Sequence, residues 1–314
     1  MRDLPPFRPL WPWIGGDLQT LRNRLRPPPV SLAAYPAERL AIETGDGTGD
    51  RLEGLLQRPK TAENRPLVVL VHGLTGSRDS LYIQVSSMHL LAAGFPVLRV
   101  NLRGAGAPET PPKTFYHGGK TGDLTAIHRA MATVFPAKKT VFVGFSLGGN
   151  VVLKHFSEQN ADDRLLAAVS ISAPIDLKAA QLRLSAPRNR IYHRHLLADM
   201  KRERGGAAAA GIATILDFDN RIVAPANGFR DAEDYYRQSS AAPRLGAIRH
   251  PALLIHAADD PWIPIDSYRR IDLRNPALTL LLTPSGGHVG FHARGLDMPW
   301  HDLAMLRFLS SLGE

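Results

Sequence analysis

The chain has 314 residues and contains no cysteine, which excludes disulfides, thiolate nucleophiles and cysteine-based zinc sites. This length suits one large α/β domain with an insertion, or two small domains, and it can bury a core that needs no covalent staple. The formal net charge is +9, but 30 of the 38 basic residues are arginines, scattered along the chain without interleaved aromatic residues. We therefore expect no nucleic-acid partner.

The first part of the chain is rich in proline and arginine and contains Trp11 and Trp13. We predict an N-terminal arm over residues 1–35 that packs through its aromatic side chains and is not a domain. Its beginning lacks the apolar run of a signal peptide. The uncharged stretches 80–98 and 276–293 are interrupted by His, Ser, Gly or Pro, so neither is expected to span a bilayer. These features predict a soluble, cytoplasmic protein.

The spacing of apolar residues predicts alternating strands and helices after the arm. Runs at 39–43 and 52–56 flank the turn cluster 45–49 and predict a hairpin. The continuous apolar run 67–71 is typical of a strand covered on both faces. The remaining predicted strands are 97–100, 140–143, 166–171, 252–256 and 277–282, and the predicted helices are 80–93, 123–135, 147–157 and 299–312. This order predicts an α/β fold with a mostly parallel, doubly wound sheet.

The alternation pauses in a stretch where helix formers and arginines prevail. We predict a helical cap insertion at about 174–248, above the carboxyl edge of the sheet, within an α/β domain that spans residues 36–314. The segment 181–204 mixes apolar residues with arginines, which indicates a solvated cap helix with an apolar inner face. Docking of a basic cap on an anionic membrane surface is the alternative. The pair His193 and His195 has no third ligand near it in sequence, so we expect no metal ion.

The segment Gly144-Phe-Ser-Leu-Gly148 matches the pattern G-x-S-x-G. It follows a predicted strand and opens a predicted helix, which is the context of a nucleophile elbow and not of an ordinary glycine-rich turn. The sharp turn leaves no room for side chains two residues before and after the serine, and glycine removes them at both positions. The helix that begins at Leu147 directs its first amide groups at the serine hydroxyl. We predict that Ser146 is a nucleophile.

A serine hydroxyl needs a base to take its proton, and the base needs a carboxylate to orient it. His288 lies on a glycine-flanked loop after the last predicted strand, and Asp259 and Asp260 closely follow the strand 252–256. We assign the carboxylate to Asp260, because its spacing to the apolar residue and proline of Ile263-Pro264 is common for such an acid. Asp259 is then expected to tighten the turn.

Negative charge that develops on an attacked carbonyl oxygen requires two backbone donors. The amide of Leu147, at the start of the helix, is the first candidate. The second is the amide of Leu74, in the loop after the strand 67–71, where Gly73 allows a tight turn. We interpret His72, which precedes this loop, as a structural residue and not as a catalytic one.

Several short motifs along the chain belong together. They are Leu18-Gln-Thr-Leu21, His72-Gly-Leu-Thr-Gly-Ser77, Asn101-Leu-Arg-Gly104, Tyr116-His-Gly118, Gly144-Phe-Ser-Leu-Gly-Gly-Asn150, Phe218-Asp219, Asp234-Tyr-Tyr-Arg237, His256-Ala-Ala-Asp-Asp-Pro261 and Gly286-Gly-His-Val-Gly-Phe291. With them the chain resembles the YheT-like branch of the α/β-hydrolase superfamily over nearly its whole length. The resemblance implies the α/β-hydrolase fold, hydrolysis of carboxylic esters, a catalytic triad of Ser146, Asp260 and His288, and no cofactor. One departure is Asp17, where relatives usually carry a histidine.

We therefore expect an esterase that acts through an acyl-enzyme on Ser146, with a small-molecule ester as its partner. The cap side chains Leu182, Ile191, Leu196 and Leu197 are predicted to line an acyl site for short to medium chains. Two alternatives stay open. One is transfer of the acyl group to an alcohol by the same triad, and the other is a non-catalytic binding protein that has kept the fold.

Overall fold

The computed structural model describes residues 4–59, 65–108, 110–158, 162–205 and 209–312. Within these ranges the strands of one sheet are β1 (Ala37–Glu43), β2 (Arg51–Gln57), β3 (Leu67–Val71), β4 (Val97–Asn101), β5 (Thr140–Phe145), β6 (Leu165–Ile171), β7 (Ala252–Ala257) and β8 (Leu278–Thr283). Their order across the sheet is β1-β2-β4-β3-β5-β6-β7-β8. Strands β3 to β8 run parallel, whereas β2 is antiparallel to both β1 and β4. The predicted α/β fold with a mostly parallel sheet is confirmed.

Helices follow the strands in the predicted alternation. They are α1 (Gly16–Leu25), α2 (Leu81–Ala92), α3 (Gly122–Val134), α4 (Leu147–Glu158), α5 (Leu177–Ser185), α6 (Arg190–Glu203), α7 (Ile215–Phe218), α8 (Ala224–Ala226), α9 (Ala232–Ser239), α10 (Asp266–Arg269) and α11 (Trp300–Ser311). Helices α5 to α9 lie between β6 and β7, together with a π-helical turn at Asp219–Val223 and 3-10 helices at Pro187–Asn189 and Ala242–Ala247. In the part of the chain that the structure describes, no helix has the length and apolarity needed to cross a bilayer.

Strand β3 is covered by helices on both faces, as its continuous apolar run predicts. Successive side chains of a strand point to opposite faces of the sheet. Val69 and Val71 therefore join the core that includes apolar residues of α3 and α4, whereas Val68 and Leu70 join the core that includes residues of α2 and α11. The sheet is thus the middle layer of three.

The chain changes its direction of travel across the sheet at β3. It passes from β3 to β4 on one side and then to β5 on the other, so that Val71 pairs with Gly144. Loops that leave two such neighbouring strands diverge and open a crevice at the carboxyl ends, where sheets of this type bind ligands. The loop that begins at His72 and the turn at Ser146 both leave the sheet at this crevice.

The N-terminal arm differs from its predicted form. It contains helix α1, which was not predicted, and Trp11 is 78% exposed and does not pack on the domain. The aromatic contact is made by Phe7, whose ring packs edge-on against Phe291 and Trp300. Helix α1 begins after Gly15 without a side-chain cap, so the usual sequence signal of a helix start is missing.

Candidate active site

Ser146 stands at the sharp turn between β5 and α4. Its backbone φ is +51°, a left-handed conformation that is strained for a residue with a side chain. A methyl group at Gly144 would lie 2.3 Å from the carbonyl oxygen of Gly148, and one at Gly148 would lie 2.4 Å from the carbonyl oxygen of His72. Neighbouring backbone lies so close to Gly144 and Gly148 that no side chain fits at either position of the predicted elbow.

Three of the predicted side chains form one hydrogen-bonded chain. Ser146 Oγ lies 2.9 Å from His288 Nε2, and His288 Nδ1 lies 2.8 Å from Asp260 Oδ2. His288 and Asp260 are buried, whereas Ser146 lines a cavity. When Nδ1 donates to the carboxylate, the neutral imidazole presents the lone pair of Nε2 to the serine hydroxyl. The arrangement can therefore take a proton from Ser146.

Asp260 is held by donors at both of its oxygens. Oδ1 accepts from the amides of Trp262 and Ile263 at 2.8 and 3.0 Å, and Oδ2 accepts from His288. Burial by itself would raise the pKa of Asp260, but the charge and hydrogen bond of His288 and these amide donors keep the pKa below its ordinary value. The carboxylate therefore stays ionised at neutral pH and can stabilise an imidazolium.

Asp259 has a different contact from the one that was predicted. Its Oδ1 accepts from the amide of Gly287 at 2.9 Å, so it braces the loop that carries His288. The two neighbouring carboxylates thus act at different places, one on the imidazole of His288 and one on the backbone beside it. This division agrees with the assignment of Asp260 as the partner of His288.

The loop after β3 approaches the serine closely. A methyl group at Gly73 would lie 2.8 Å from Ser146 Cβ, which is too close for any side chain. Leu74, the next residue, lines the same cavity as Ser146 and Leu147. The two residues whose amides were predicted as oxyanion donors therefore flank the serine.

Two tyrosines hold this loop in place. The amide of Gly73 donates to the phenol oxygen of Tyr82 at 2.9 Å, and the amide of Thr75 donates to that of Tyr116 at 2.7 Å. Thr75 has a φ of +57°, a strained conformation that persists only where neighbouring contacts fix it. The backbone is therefore constrained on both sides of Leu74.

His72 has the structural position that the sequence predicts. Its Nε2 accepts from the amide of Leu102 at 3.0 Å, and its Nδ1 donates to the carbonyl oxygen of Gly73 at 2.7 Å. Burial lowers the pKa of His72 to about 4, so the ring is neutral at physiological pH. The ring joins the loop after β3 to the loop after β4.

A largely apolar cavity opens beside Ser146 under the helices of the insertion. The cavity and its solvent-open mouth together contain about 860 Å³ of empty space. Its apolar lining consists mainly of Leu74, Leu147, Leu177, Ala180, Leu184, Leu196, Met200, Ile215, Phe218, Val223 and Ile263. Such a lining favours an apolar ligand next to the serine.

The predicted lining of the cavity is partly wrong. Leu196 lines it and Leu197 is buried, but Leu182 and Ile191 are 61% and 82% exposed on the outer surface. Ile191 lies nine positions before Met200, which places the two side chains on opposite faces of α6. Apolar residues on both faces of a helix look alike in the sequence, and only the packing separates them.

One part of the cavity wall is polar. Glu203 accepts a hydrogen bond from the phenol of Tyr116 at 2.9 Å, and Asp219 accepts one from the phenol of Tyr236 at 2.6 Å. Burial raises the pKa of each carboxyl group to about 7, although these hydrogen bonds and the charge of Arg204 act in the opposite direction. A ligand that reaches this wall meets groups that lose their protons near neutral pH.

A family model described as the alpha/beta hydrolase family matches residues 68–305. The chain belongs to this family. It is 32% identical to the candidate esterase YheT of Escherichia coli (strain K12), over 91% of this chain and 86% of that protein. It is 28% identical to the monoacylglycerol lipase of Saccharomyces cerevisiae, over 78% of this chain and 59% of the lipase. The resemblance to the YheT-like branch is confirmed.

The fold of this α/β hydrolase also occurs among solved structures. The esterase Pf2001 of Pyrococcus furiosus matches it with a TM-score of 0.62, over 90% of this chain and 98% of that chain. The two sequences are 20% identical, so the likeness bears on the fold alone. It confirms the α/β-hydrolase fold that the motifs imply.

The N-terminal arm of this α/β hydrolase packs on the loop that carries His288, a role that the sequence analysis missed. Thr20 Oγ1 accepts a hydrogen bond from the amide of His288 at 2.8 Å. The buried side chain of Gln19 accepts from the amide of His292 at 2.7 Å and donates to its carbonyl oxygen at 3.0 Å. The motif that contains both residues was the available signal, but its partners lie at the other end of the chain.

The loop that these residues hold is strained. Val289 and Phe291 have φ values of +58° and +50°, and the left-handed region is especially unfavourable for a β-branched residue such as valine. Ser172 Oγ accepts from the amide of Val289 at 3.1 Å, which adds a contact from the end of β6. Such a backbone persists only where the surroundings over-determine it, and helix α1 supplies part of those surroundings.

Asp17 joins the arm to the insertion. It accepts a hydrogen bond from the phenol of Tyr192 at 3.0 Å and pairs with the guanidinium of Arg188 at 2.7 Å. The ring of Tyr192 packs edge-on against Trp262, whose indole stacks on the imidazole of His288 with 4.2 Å between ring centroids. The arm thus reaches His288 by a second route.

The contact between Thr20 and His288 predicts a local effect of Thr20→Val. Valine has no oxygen to accept from the His288 amide, and a buried amide without a partner costs about 1–3 kcal/mol. We expect the peptide that covers residues 286–292 to exchange its amide hydrogens roughly tenfold faster, as measured by mass spectrometry.

Thr133→Val is the matched control for this experiment. Thr133 lies in helix α3 and, like Thr20, bonds the carbonyl oxygen four residues earlier, but it is exposed and remote from the loop. The control should leave exchange at residues 286–292 unchanged. Equal exchange in Thr20→Val and the unaltered protein would show that helix α1 does not hold the loop.

Proposed function

We propose that this protein is a serine esterase that hydrolyses carboxylic esters through an acyl-enzyme on Ser146. The observation that carries the proposal is the continuous set of contacts from Ser146 Oγ through His288 to Asp260, at 2.9 and 2.8 Å, beside an apolar cavity. A binding protein would need neither the strained serine nor the buried carboxylate behind the imidazole. The names of YheT and of the yeast lipase, an esterase candidate and an ester-cleaving enzyme, support the same class.

The proposed reaction proceeds in two halves. Ser146 Oγ attacks the ester carbonyl while His288 Nε2 takes its proton, and the imidazolium is stabilised by Asp260. The amides of Leu74 and Leu147 donate to the oxyanion of the tetrahedral intermediate. His288 then protonates the leaving alcohol, and the acyl group stays on the serine. Water, deprotonated by His288, attacks the acyl-enzyme and releases the acid.

The cavity favours esters with short to medium acyl chains. Each methylene that leaves water for the apolar wall contributes about 0.8 kcal/mol. This gain ends where the acyl chain of the substrate reaches the carboxyl groups of Glu203 and Asp219. There an alkyl group would displace water from polar groups without replacing their hydrogen bonds. We therefore expect kcat/KM to rise with the length of the acyl chain and then to reach a plateau.

A series of p-nitrophenyl esters tests this function. We expect kcat/KM to rise about fourfold per methylene and to reach a plateau at medium length. Ser146→Ala should retain a rate only about 10³–10⁴ times that of the reaction in water. With ethanol added, the free acid should remain the main product. Absence of turnover in every ester, a preference for emulsified long-chain triglyceride, or a dominant ethyl ester product would each contradict the proposal.

The two adjacent aspartates provide a matched pair of variants. Asp260→Asn keeps the size of the side chain but favours the wrong tautomer of His288, so kcat should fall by up to about 10⁴-fold. Asp259→Asn keeps an oxygen that accepts from the Gly287 amide, and its kcat should fall by less than about tenfold. The comparison is made by steady-state kinetics on one ester. A larger loss in Asp259→Asn would show that the carboxylate has been assigned one residue too late.

A further inference from the structure

Basic residues occur along the whole chain, but the net positive charge comes mainly from two segments that are distant in sequence. Residues 8–26 contain four arginines and one aspartate, and residues 182–204 contain six arginines, one lysine and two acidic residues. With histidine neutral, these segments together carry a formal charge of +8, whereas the whole chain carries +9. The other residues are therefore close to electrical balance, and the basic character of the chain is a local feature.

Contacts between side chains join the two segments into one surface. Arg188 Nη2 lies 2.7 Å from Asp17 Oδ2, and Arg24 Nη1 lies 3.0 Å from His195 Nε2. Helix α1 is thus attached to the part of the insertion that contains α6, and the charges of both reinforce each other. We call the surface formed by the exposed side chains of residues 8–26 and 182–204 the arm–cap face.

Large apolar side chains are exposed on the arm–cap face. Among the residues that the structure describes, ten large hydrophobic side chains are exposed, and six of the ten belong to this face. These six are Trp11, Ile14, Leu18, Leu25, Leu182 and Ile191. Single exposed apolar side chains are ordinary on protein surfaces, but a cluster of them marks an interaction surface. A solvated cap helix accounts for the charges and not for this cluster.

Helices α1 and α6 each present exposed side chains on their outer side. Leu18 and Leu25 are two turns apart and share one side of α1, whereas other residues of that helix pack on the loop after β8. On α6, the exposed Ile191 lies between Arg190 and Arg194, which are also exposed and are one turn apart. Helix α6 therefore combines an apolar side chain with guanidinium groups on its outer side, and helix α1 adds two exposed leucines.

We propose that the arm–cap face is a docking surface for membranes that contain anionic phospholipids. Guanidinium groups bind phosphate oxygens through paired hydrogen bonds. Tryptophan, leucine and isoleucine side chains next to them enter the region between headgroups and acyl chains. A lipid surface offers partners to both kinds of side chain, whereas a nucleic-acid backbone offers none to exposed leucine and isoleucine. A second copy of this chain would bring two faces of charge +8 together, which is repulsive.

Docking in this way would place the cavity-lining helices next to the lipid. The inner side of α6 contributes Leu196 and Met200 to the cavity, and its outer side contributes Ile191 to the arm–cap face. The binding proposal does not rest on the esterase activity, because association with a membrane can be measured without turnover.

Vesicle co-sedimentation tests the proposal with the full chain. We compare vesicles of phosphatidylcholine alone with vesicles in which roughly one third of the lipid is phosphatidylglycerol. The protein should bind the anionic vesicles, should bind neutral ones far more weakly, and should be released by salt. Replacing Arg190 and Arg194 by glutamine should weaken binding about 30-fold, since each basic residue near an anionic surface contributes roughly a fivefold factor. Ile191→Gln should weaken it about tenfold.

Two control variants match these changes at exposed positions outside the arm–cap face. Arg269 and Arg274 replaced together by glutamine lower the net charge by the same amount, and Leu273→Gln removes another exposed apolar side chain, 53% exposed against 82% for Ile191. Both controls should bind anionic vesicles like the unaltered protein. Equal losses in controls and test variants, no binding to anionic vesicles, or a dimer that Ile191→Gln dissociates would overturn the proposal.

Discussion

The close contact between the start of α4 and the end of β3 is the constraint on which the rest of the site depends. Gly148 lies against the last carbonyl groups of β3, where no side chain fits, so α4 begins directly above the sheet and Ser146 takes its left-handed conformation. The loop after β3 is equally close, because Gly73 touches the serine. Contacts between backbone segments thus position Ser146, the proposed nucleophile, and the amides of Leu74 and Leu147, the proposed oxyanion donors. Such close-packed backbone contacts leave little room for movement.

His288 is positioned by different means and by a different part of the chain. The family match begins at residue 68, yet the strained loop around His288 is held by Gln19 and Thr20 of the arm. Helix α1 therefore helps to form the site, as do the loops that follow the strands of the sheet. The opposite side of α1 carries exposed leucines, which we assign to the arm–cap face, so the helix lies between the proposed base and the proposed membrane surface.

The sequence predicts the features that depend on local pattern. The run 67–71 and the elbow around Ser146 are short-range signals, and the order of Ser146, Asp260 and His288 follows from the strands that precede them. Helix α1 was missed because it lacks a capping residue and because its partners lie more than 250 residues away. The outward position of Ile191 was missed for a related reason. Which face of an amphipathic helix is covered depends on its neighbours, and the arm–cap face arises only when distant segments meet.

The central claim, that Ser146 is the nucleophile of a serine hydrolase, is tested most directly by covalent labelling. The protein is treated with a fluorophosphonate, digested, and mapped by mass spectrometry, in parallel with Ser146→Ala. The account predicts a single adduct on the peptide that contains Ser146, and none in the variant, because this hydroxyl faces a base held by a buried carboxylate. An adduct on another serine, or equal labelling of the variant, would contradict it.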